Sequence, residues 1–303
     1  MNEAGALIVG GGFLGRALAL KLAGAGRRVT VLSTRAEDAS WPVGIAAVNG
    51  RQEDTMLVRR LLAGHDTVVH AAWGTTPGSS AGRPALEGEA GLLPFLAFLD
   101  ALHAYPETRL LFLSSGGTVY GDPEKLPVAE DAPLQPRSCH GAGKAAAELF
   151  LRSHRPERTI VLRPSNIYGP GQVLKSGFGV IRHLLICASE DRPFQLWGDG
   201  LQVRDYLFID DFADAVLRLI ARPQAAGVFN LGCGAGTSLR ELIALVEAET
   251  ARTVRIDAQP AREGDVTRIV LDIDRIRRAA DWAPVVSLED GIARTRRWLE
   301  AGA

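Results

Sequence analysis

The sequence has few cysteines, few lysines, almost no net charge and no long apolar run. Its three cysteines, Cys139, Cys187 and Cys233, are far apart and in no CxxC spacing. They therefore argue against a disulfide framework or a zinc site and for a reducing compartment. No HExxH or other ligand spacing occurs among the six histidines, so no metal is expected. With 34 basic and 35 acidic residues the net charge is −1. There is thus no sequence-wide footprint for nucleic acid or an anionic membrane, and any anion site must be local. No uncharged stretch reaches the roughly 18 residues of a membrane span. The start, MNEAGALIVGGG, carries an acid where a secretory signal carries basic residues. These readings together predict a cytoplasmic protein. Of the 34 basic residues only Lys21, Lys125, Lys144 and Lys175 are lysines.

Glycine, by contrast, is abundant, with 33 in 303 residues, against the roughly 7% of an average protein. A hydrophobic fraction of 47% with 23% charged residues suits a packed core and excludes disorder, and the length suggests two domains at about 150 residues each. Apolar strands are expected at Ala6 to Val9, Arg28 to Leu32, Val43 to Val48, Thr67 to His70, Arg109 to Ser114 and Thr159 to Leu162. They alternate with helices near Arg16 to Ala25, Asp54 to Ala63, Leu92 to Ala104 and Ala142 to Arg152. That alternation predicts an α/β fold, a Rossmann doubly wound parallel sheet covered on both faces. Gly74 to Gly88 and Tyr120 to Ser138 read as loops. Later come a strand at Tyr206 to Ile209, a helix at Asp211 to Ala221, and capping signals Ser238-x-x-Glu241 and Ser287-x-x-Asp290 before two further helices. The expected division is a dinucleotide-binding body over 1–163 plus about 203–221, with a smaller discontinuous α/β lobe over about 164–202 and 222–303. The cleft between them is the expected ligand site.

Gly10-Gly11-Gly12-Phe13-Leu14-Gly15 is a GxGxxG turn between a strand and a helix. Gly10 allows the tight turn, Gly12 lets a pyrophosphate approach the backbone, and Gly15 lets helix and strand pack closely. Where the second strand of such a unit ends, an acid usually binds the adenosine ribose. Here stands Ser33-Thr34-Arg35. Two hydroxyls and a guanidinium suit a 2′-phosphate better than a carboxylate does, which favours NADP slightly over NAD. Arg35 as a solvated loop residue is the alternative.

Six ordered segments carry a family resemblance. They are Asp66-Thr67-Val68-Val69-His70-Ala71-Ala72; Leu113-Ser114-Ser115-Gly116-Gly117-Thr118-Val119-Tyr120-Gly121-Asp122-Pro123; Arg163-Pro164-Ser165-Asn166-Ile167-Tyr168-Gly169-Pro170-Gly171; Gly198-Asp199-Gly200-Leu201-Gln202-Val203-Arg204-Asp205-Tyr206; Phe229-Asn230-Leu231-Gly232; and Arg262-Glu263-Gly264-Asp265. Over nearly its whole length the chain resembles the extended short-chain dehydrogenases/reductases of the nucleotide-sugar epimerase and dehydratase group. The resemblance implies cofactor contacts from Phe13, Leu14, Ala71, Ala72, Ser114 and Ser165 beside the glycine turn. It also implies a nucleoside-diphosphate (NDP) sugar in the second lobe, its diphosphate on Asn166, Arg204 and Arg262, with Asp265 near the nucleoside and Gln195-Leu196-Trp197 lining the base. A homodimer through the helices near Leu92 to Ala104 and Ala142 to Arg152 is implied as well.

In that family a Tyr-x-x-x-Lys pair carries the proton chemistry, and a Ser or Thr three residues before the Val of the VYG motif shares the substrate hydroxyl. Here His140 replaces the tyrosine, Lys144 is kept, and Gly116 stands at the hydroxyl position, with Ser115 beside it. His140 and Lys144, four apart, share one helical face. A lysine is notable where nearly every other basic residue is arginine, because its compact ammonium suits ribose binding. Imidazole can transfer protons, and a nearby ammonium favours its neutral form. The expected catalytic group is therefore His140, Lys144 and Ser115. Further departures are Gly50-Arg51-Gln52-Glu53, where the family has an Asp after the third strand, and Gly91 in place of a common Asn. Two functions follow: an NAD(P)-dependent epimerase or reductase acting by hydride transfer on an NDP-sugar, or a non-catalytic member binding the same ligands as a sensor or assembly subunit.

Overall fold

The computed structural model describes residues 5–36, 40–174, 178–261 and 266–302. Arg262 and Asp265 lie outside the described residues. In chain order the first half runs β1 (Gly5–Val9), α1 (Phe13–Gly24), β2 (Arg28–Ser33), β3 (Ile45–Asn49), α2 (Thr55–Leu62), β4 (Thr67–His70), α3 (Pro84–Glu87), a π-helical turn at Gly88–Leu92, α4 (Leu93–His103), β5 (Arg109–Leu113), α5 (Cys139–His154) and β6 (Thr159–Pro164). The second half runs β7 (Asn166–Tyr168), α6 (Val180–Glu190), β8 (Phe194–Trp197), β9 (Val203–Arg204), β10 (Tyr206–Phe208), α7 (Ile209–Ile220), β11 (Gly227–Leu231), β12 (Thr237–Ser238), α8 (Leu239–Thr250), β13 (Ile256–Gln259), α9 (Asp274–Ala280) and α10 (Leu288–Glu300).

Seven strands form one parallel sheet in the order β11-β6-β5-β4-β1-β2-β3. The fold is the expected doubly wound α/β type. Every residue of β1, β4 and β6 is buried, which explains why these strands read as continuous apolar runs. Alternate residues serve opposite faces. Ala6 and Ile8 pack with Leu18 and Leu22 on one side, Leu7 and Val9 with Val58, Phe95 and Phe98 on the other. The strand order reverses between β1 and β4, and their carboxyl ends make the crevice where such sheets bind ligands.

Several boundaries move. The second-half span 222–303, expected in the lobe, includes β11, which pairs with β6 in the main sheet. Tyr206–Phe208 instead pairs with β7 in a separate two-stranded sheet. The third strand starts at Ile45, because Gly44 has φ +97 and Val43 is fully exposed. Helix α5 starts at Cys139, where the Ser138 side chain accepts a hydrogen bond from Gly141 N at 3.1 Å. His140 therefore sits in its first turn. The Gly74 to Gly88 segment, expected as loop, ends in α3 and buries Thr75, Ser80 and Glu87. In the lobe, β8 pairs with β13, and the Ser238/Glu241 capping box closes reciprocally at the start of α8.

Candidate functional site

The glycine turn lies at the switch point. Gly10 has φ +108, which L side chains rarely adopt, and a Cβ there would stand 2.6 Å from Ala72 N. A Cβ on Gly15 would collide with the Gly10 carbonyl oxygen. These contacts bring α1 down onto the ends of β1 and β4. The residue before α1, Gly12, carries no capping side chain, and its first turn holds no acid. The free N–H groups and positive helix end are thus available to an anion. Ser33 packs over the turn, 3.1 Å from where a Gly11 Cβ would be, and Thr34 and Arg35 are exposed at the end of β2.

From here a cleft of about 860 Å³ opens between the sheet and the lobe. Leu14, Ala71, Ser114, Ser115, His140, Lys144 and Ser165 line one part; Asn166, Gln195, Trp197 and Arg204 line another. The structure thus brings the expected catalytic group and four of the six expected sugar-nucleotide residues to one cavity. Phe13 turns away and lines a neighbouring groove between α1 and α7. Asn166 Nδ2 donates to the Asp205 carbonyl at 3.1 Å, and the Arg204 guanidinium donates to the Val203 carbonyl at 3.0 Å. Two buried hydroxyls in the cleft, Thr118 Oγ1 and Ser165 Oγ, have no partner among the described residues. Buried polar groups are normally satisfied, so both fit a bound polar ligand, and the residues present suit a dinucleotide.

Lys144 is buried, donates to the Leu113 carbonyl at 2.7 Å, and lies 3.9 Å from the Trp73 ring centre. Burial pushes its ammonium down to about 7, against the opposing pull of Glu87 and Glu148. Burial first, and Lys144 second, hold His140 down to about 4, so the imidazole is neutral near pH 7. Its Nδ1 lies 3.3 Å from Thr75 Oγ1 and 3.9 Å from Glu87 Oε1. Glu87 and Thr75 were not singled out by the sequence. Both come from the Gly, Ser and Pro-rich stretch, where no periodicity marks a buried carboxylate.

Gly116 has a structural cause. A Cβ there would stand 2.7 Å from both the Arg163 carbonyl oxygen and Leu271 Cδ1, closer than real side chains approach. A serine at this position requires β6 or Leu271 to move. A Cβ on Gly117 would meet only Asn166 Nδ2 at 4.0 Å, so space for a hydroxyl exists one residue later. Ser114, by contrast, is committed: its hydroxyl donates to Glu148 Oε1. His70 is also fixed, its Nε2 bonded to Gln52 Oε1 at 2.6 Å, and burial followed by Lys144 lowers it to about 3. Gln52 thus anchors the end of β4 from the segment where the family resemblance breaks.

No described helix is long and apolar enough to cross a membrane. Among the described residues no cluster of three or more His, Cys, Asp or Glu is placed to hold a metal.

Comparison with known proteins bears on this arrangement. A UDP-glucose 4-epimerase of Mycolicibacterium smegmatis is 31% identical over 233 residues, 76% of this chain and 74% of that protein. The crystal structure of a UDP-glucose 4-epimerase from Thermotoga maritima with UDP-glucose superposes with TM-score 0.89 at 28% identity, covering 98% of this chain and 99% of that one. That of the Thermus thermophilus UDP-glucose 4-epimerase with NAD gives 0.88 at 29% identity, covering 98% and 100%. The NAD dependent epimerase/dehydratase family matches residues 6–232, from the first strand to the loop after β11, and the chain belongs to that family of enzymes.

Proposed function

We propose that the protein interconverts NDP-sugars at a sugar carbon by NAD(P)-dependent hydride transfer, most simply as a UDP-hexose 4-epimerase. The observation that carries this reading is the meeting of His140 and Lys144 with Asn166, Gln195, Trp197 and Arg204 on one cleft. The names of the relatives supply the substrate class: UDP-glucose accompanies the Thermotoga enzyme.

The α1 N-terminus at Gly10, Gly12, Leu14 and Gly15, with the backbone N–H alone of Phe13, holds the cofactor pyrophosphate, and Ala71, Ala72, Ser114 and Ser165 flank the rest of the dinucleotide. A bound nicotinamide supplies the hydride acceptor and donor. Lys144 orients its ribose; an ammonium poised near 7 is retained when it gains such acceptors, since hydrogen bonds to the charged form favour it. Asn166 and Arg204, with Arg262, hold the sugar diphosphate, Gln195 and Trp197 the base, and Asp265 the nucleoside. Neutral His140 accepts the proton of the substrate hydroxyl and returns it after the sugar has turned. Ser115 and Thr118 offer hydroxyls in place of the one Gly116 lacks.

The absence of a carboxylate at Ser33, Thr34 and Arg35 favours NADP, while the Thermus structure contains NAD. A titration with both dinucleotides decides between them. Exposed Leu93 on α4 and Leu149 and Phe150 on α5 form the apolar surface through which two copies pair. The three free cysteines fit a cytoplasmic setting.

Incubation with NAD or NADP and UDP-glucose, followed by proton NMR for the 4-epimer, tests the reading. Turnover lost in His140→Gln supports it. Tight binding of both ligands without turnover in the native protein favours instead the non-catalytic reading, for which the crowding at Gly116 is the specific observation.

A further inference from the structure

Glu87 is a buried carboxylate with an unusual housing. It ends α3 just before the π-helical turn Gly88–Leu92, a widened geometry often found beside functional sites. It accepts hydrogen bonds from Trp73 Nε1 at 2.8 Å and from Thr75 Oγ1 at 2.6 Å. A Cβ on Gly143 would overlap Glu87 Oε1, and one on Gly91 would stand 2.7 Å from Trp73 Nε1 and 3.0 Å from Glu87 Oε1. Two glycines on separate helical segments therefore make the space that this acid fills. One of them, Gly143, belongs to the helix that carries His140 and Lys144.

The Thr75 hydroxyl has a single proton, and it goes to Glu87 Oε2. At its 3.3 Å contact with His140 Nδ1 that oxygen acts as acceptor, which requires the proton on Nδ1. Nε2 then keeps its lone pair, with no partner among the described residues, on a side chain that lines the cleft. We propose that Glu87 is a positioning residue that, through Thr75, fixes His140 in the tautomer with a bare Nε2 and offsets the charge of the imidazolium formed during turnover. The proposal rests on His140 as the acid/base. The substrate O–H bond breaks, the N–H bond forms at Nε2, and the accompanying hydride is that of the proposed reaction; the proton later returns to the sugar oxygen. The charged groups acting on His140 are Lys144 from its own helix and Glu87 from α3, while Trp73 and Thr75 are neutral. Glu87 raises the proton affinity of His140 and Lys144 lowers it.

The test is histidine ¹⁵N NMR on the full-length protein, with the His140 signals assigned through His140→Gln and recorded against pH. The native protein should show Nδ1 protonated and Nε2 unprotonated. In isosteric Glu87→Gln the His140 titration should move to lower pH, and the acidic limb of kcat/KM with it. The other tautomer should gain population, and kcat should fall about 10²-fold with KM for the sugar nucleotide nearly unchanged. Thr75→Val, which keeps the acid and breaks the relay, should disturb the tautomer with a smaller change in the titration. A native His140 carrying its proton on Nε2, or a Glu87→Gln protein with unchanged tautomer and titration, overturns the proposal. Full turnover in His140→Gln overturns the acid/base reading instead, and the spectra still report on the link to Glu87.

Discussion

Helix α5 carries two buried charged clusters one turn apart, and they are built to opposite ends. Glu148 accepts from Arg163 Nε at 3.1 Å on both oxygens and from its terminal nitrogen at 2.6 Å; Arg163 also donates to Tyr120 Oη at 2.6 Å and the Glu130 carbonyl at 2.9 Å. Both side chains are about 95% buried, and their hydrogen bonds raise the guanidinium above its ordinary value despite desolvation. One turn earlier Lys144 has, among the described residues, a single carbonyl acceptor and two aromatic rings beside a cavity, and burial pulls it down to about 7. A satisfied network stays charged and rigid, whereas one with unused donors beside a cleft remains titratable and can take a ligand.

The largest expected effect falls on the closed cluster. Arg163→Met leaves Glu148 buried without its partner and should cost about 3–5 kcal/mol in urea unfolding. If it costs no more than Lys144→Met, the contrast between the clusters fails. Lys144→Met should instead lower cofactor affinity about 10- to 100-fold, the worth of a charged hydrogen bond, with little loss of apo stability. Its pH signature is distinct. Between about 7 and 10.5 the unfolded chain binds the Lys144 proton and the folded protein does not. Apo stability should therefore rise with pH across that window in the native protein, and this contribution should vanish in the variant.

A smaller effect separates the two glycines. Gly116→Ser should destabilise by about 1–3 kcal/mol through overpacking without raising turnover. Gly117→Ser, which enters open space, should stay within about 0.5 kcal/mol of native. Smallest is Ser138→Ala, which removes the α5 cap for about 1 kcal/mol or less in thermal unfolding and loosens the first turn that holds His140.

The parallel sheet was legible because β1, β4 and β6 are buried on both faces and leave apolar runs, and because Gly10 to Gly15 sit between strand and helix. His140 and Lys144 were picked out only through the resemblance to the Tyr-x-x-x-Lys pattern, their spacing of four placing them on one helical face. The lobe was less so. Strands β8 and β13 and helix α6 are short or half-exposed, and β11 joins the sheet through a pairing with β6 that no local pattern encodes. Glu87 was invisible for a related reason. Its partners Trp73, Thr75, Gly143 and His140 are drawn from separate segments, and only packing makes a lone acid in a Gly-rich stretch into the neighbour of an imidazole.

The most direct test of the account is the formation of UDP-galactose from UDP-glucose by the cofactor-loaded protein, compared between native and His140→Gln at equal UDP-glucose affinity measured by calorimetry. A fall in kcat of about 10²-fold or more with binding retained is the expected result. Equal turnover by the two proteins contradicts it.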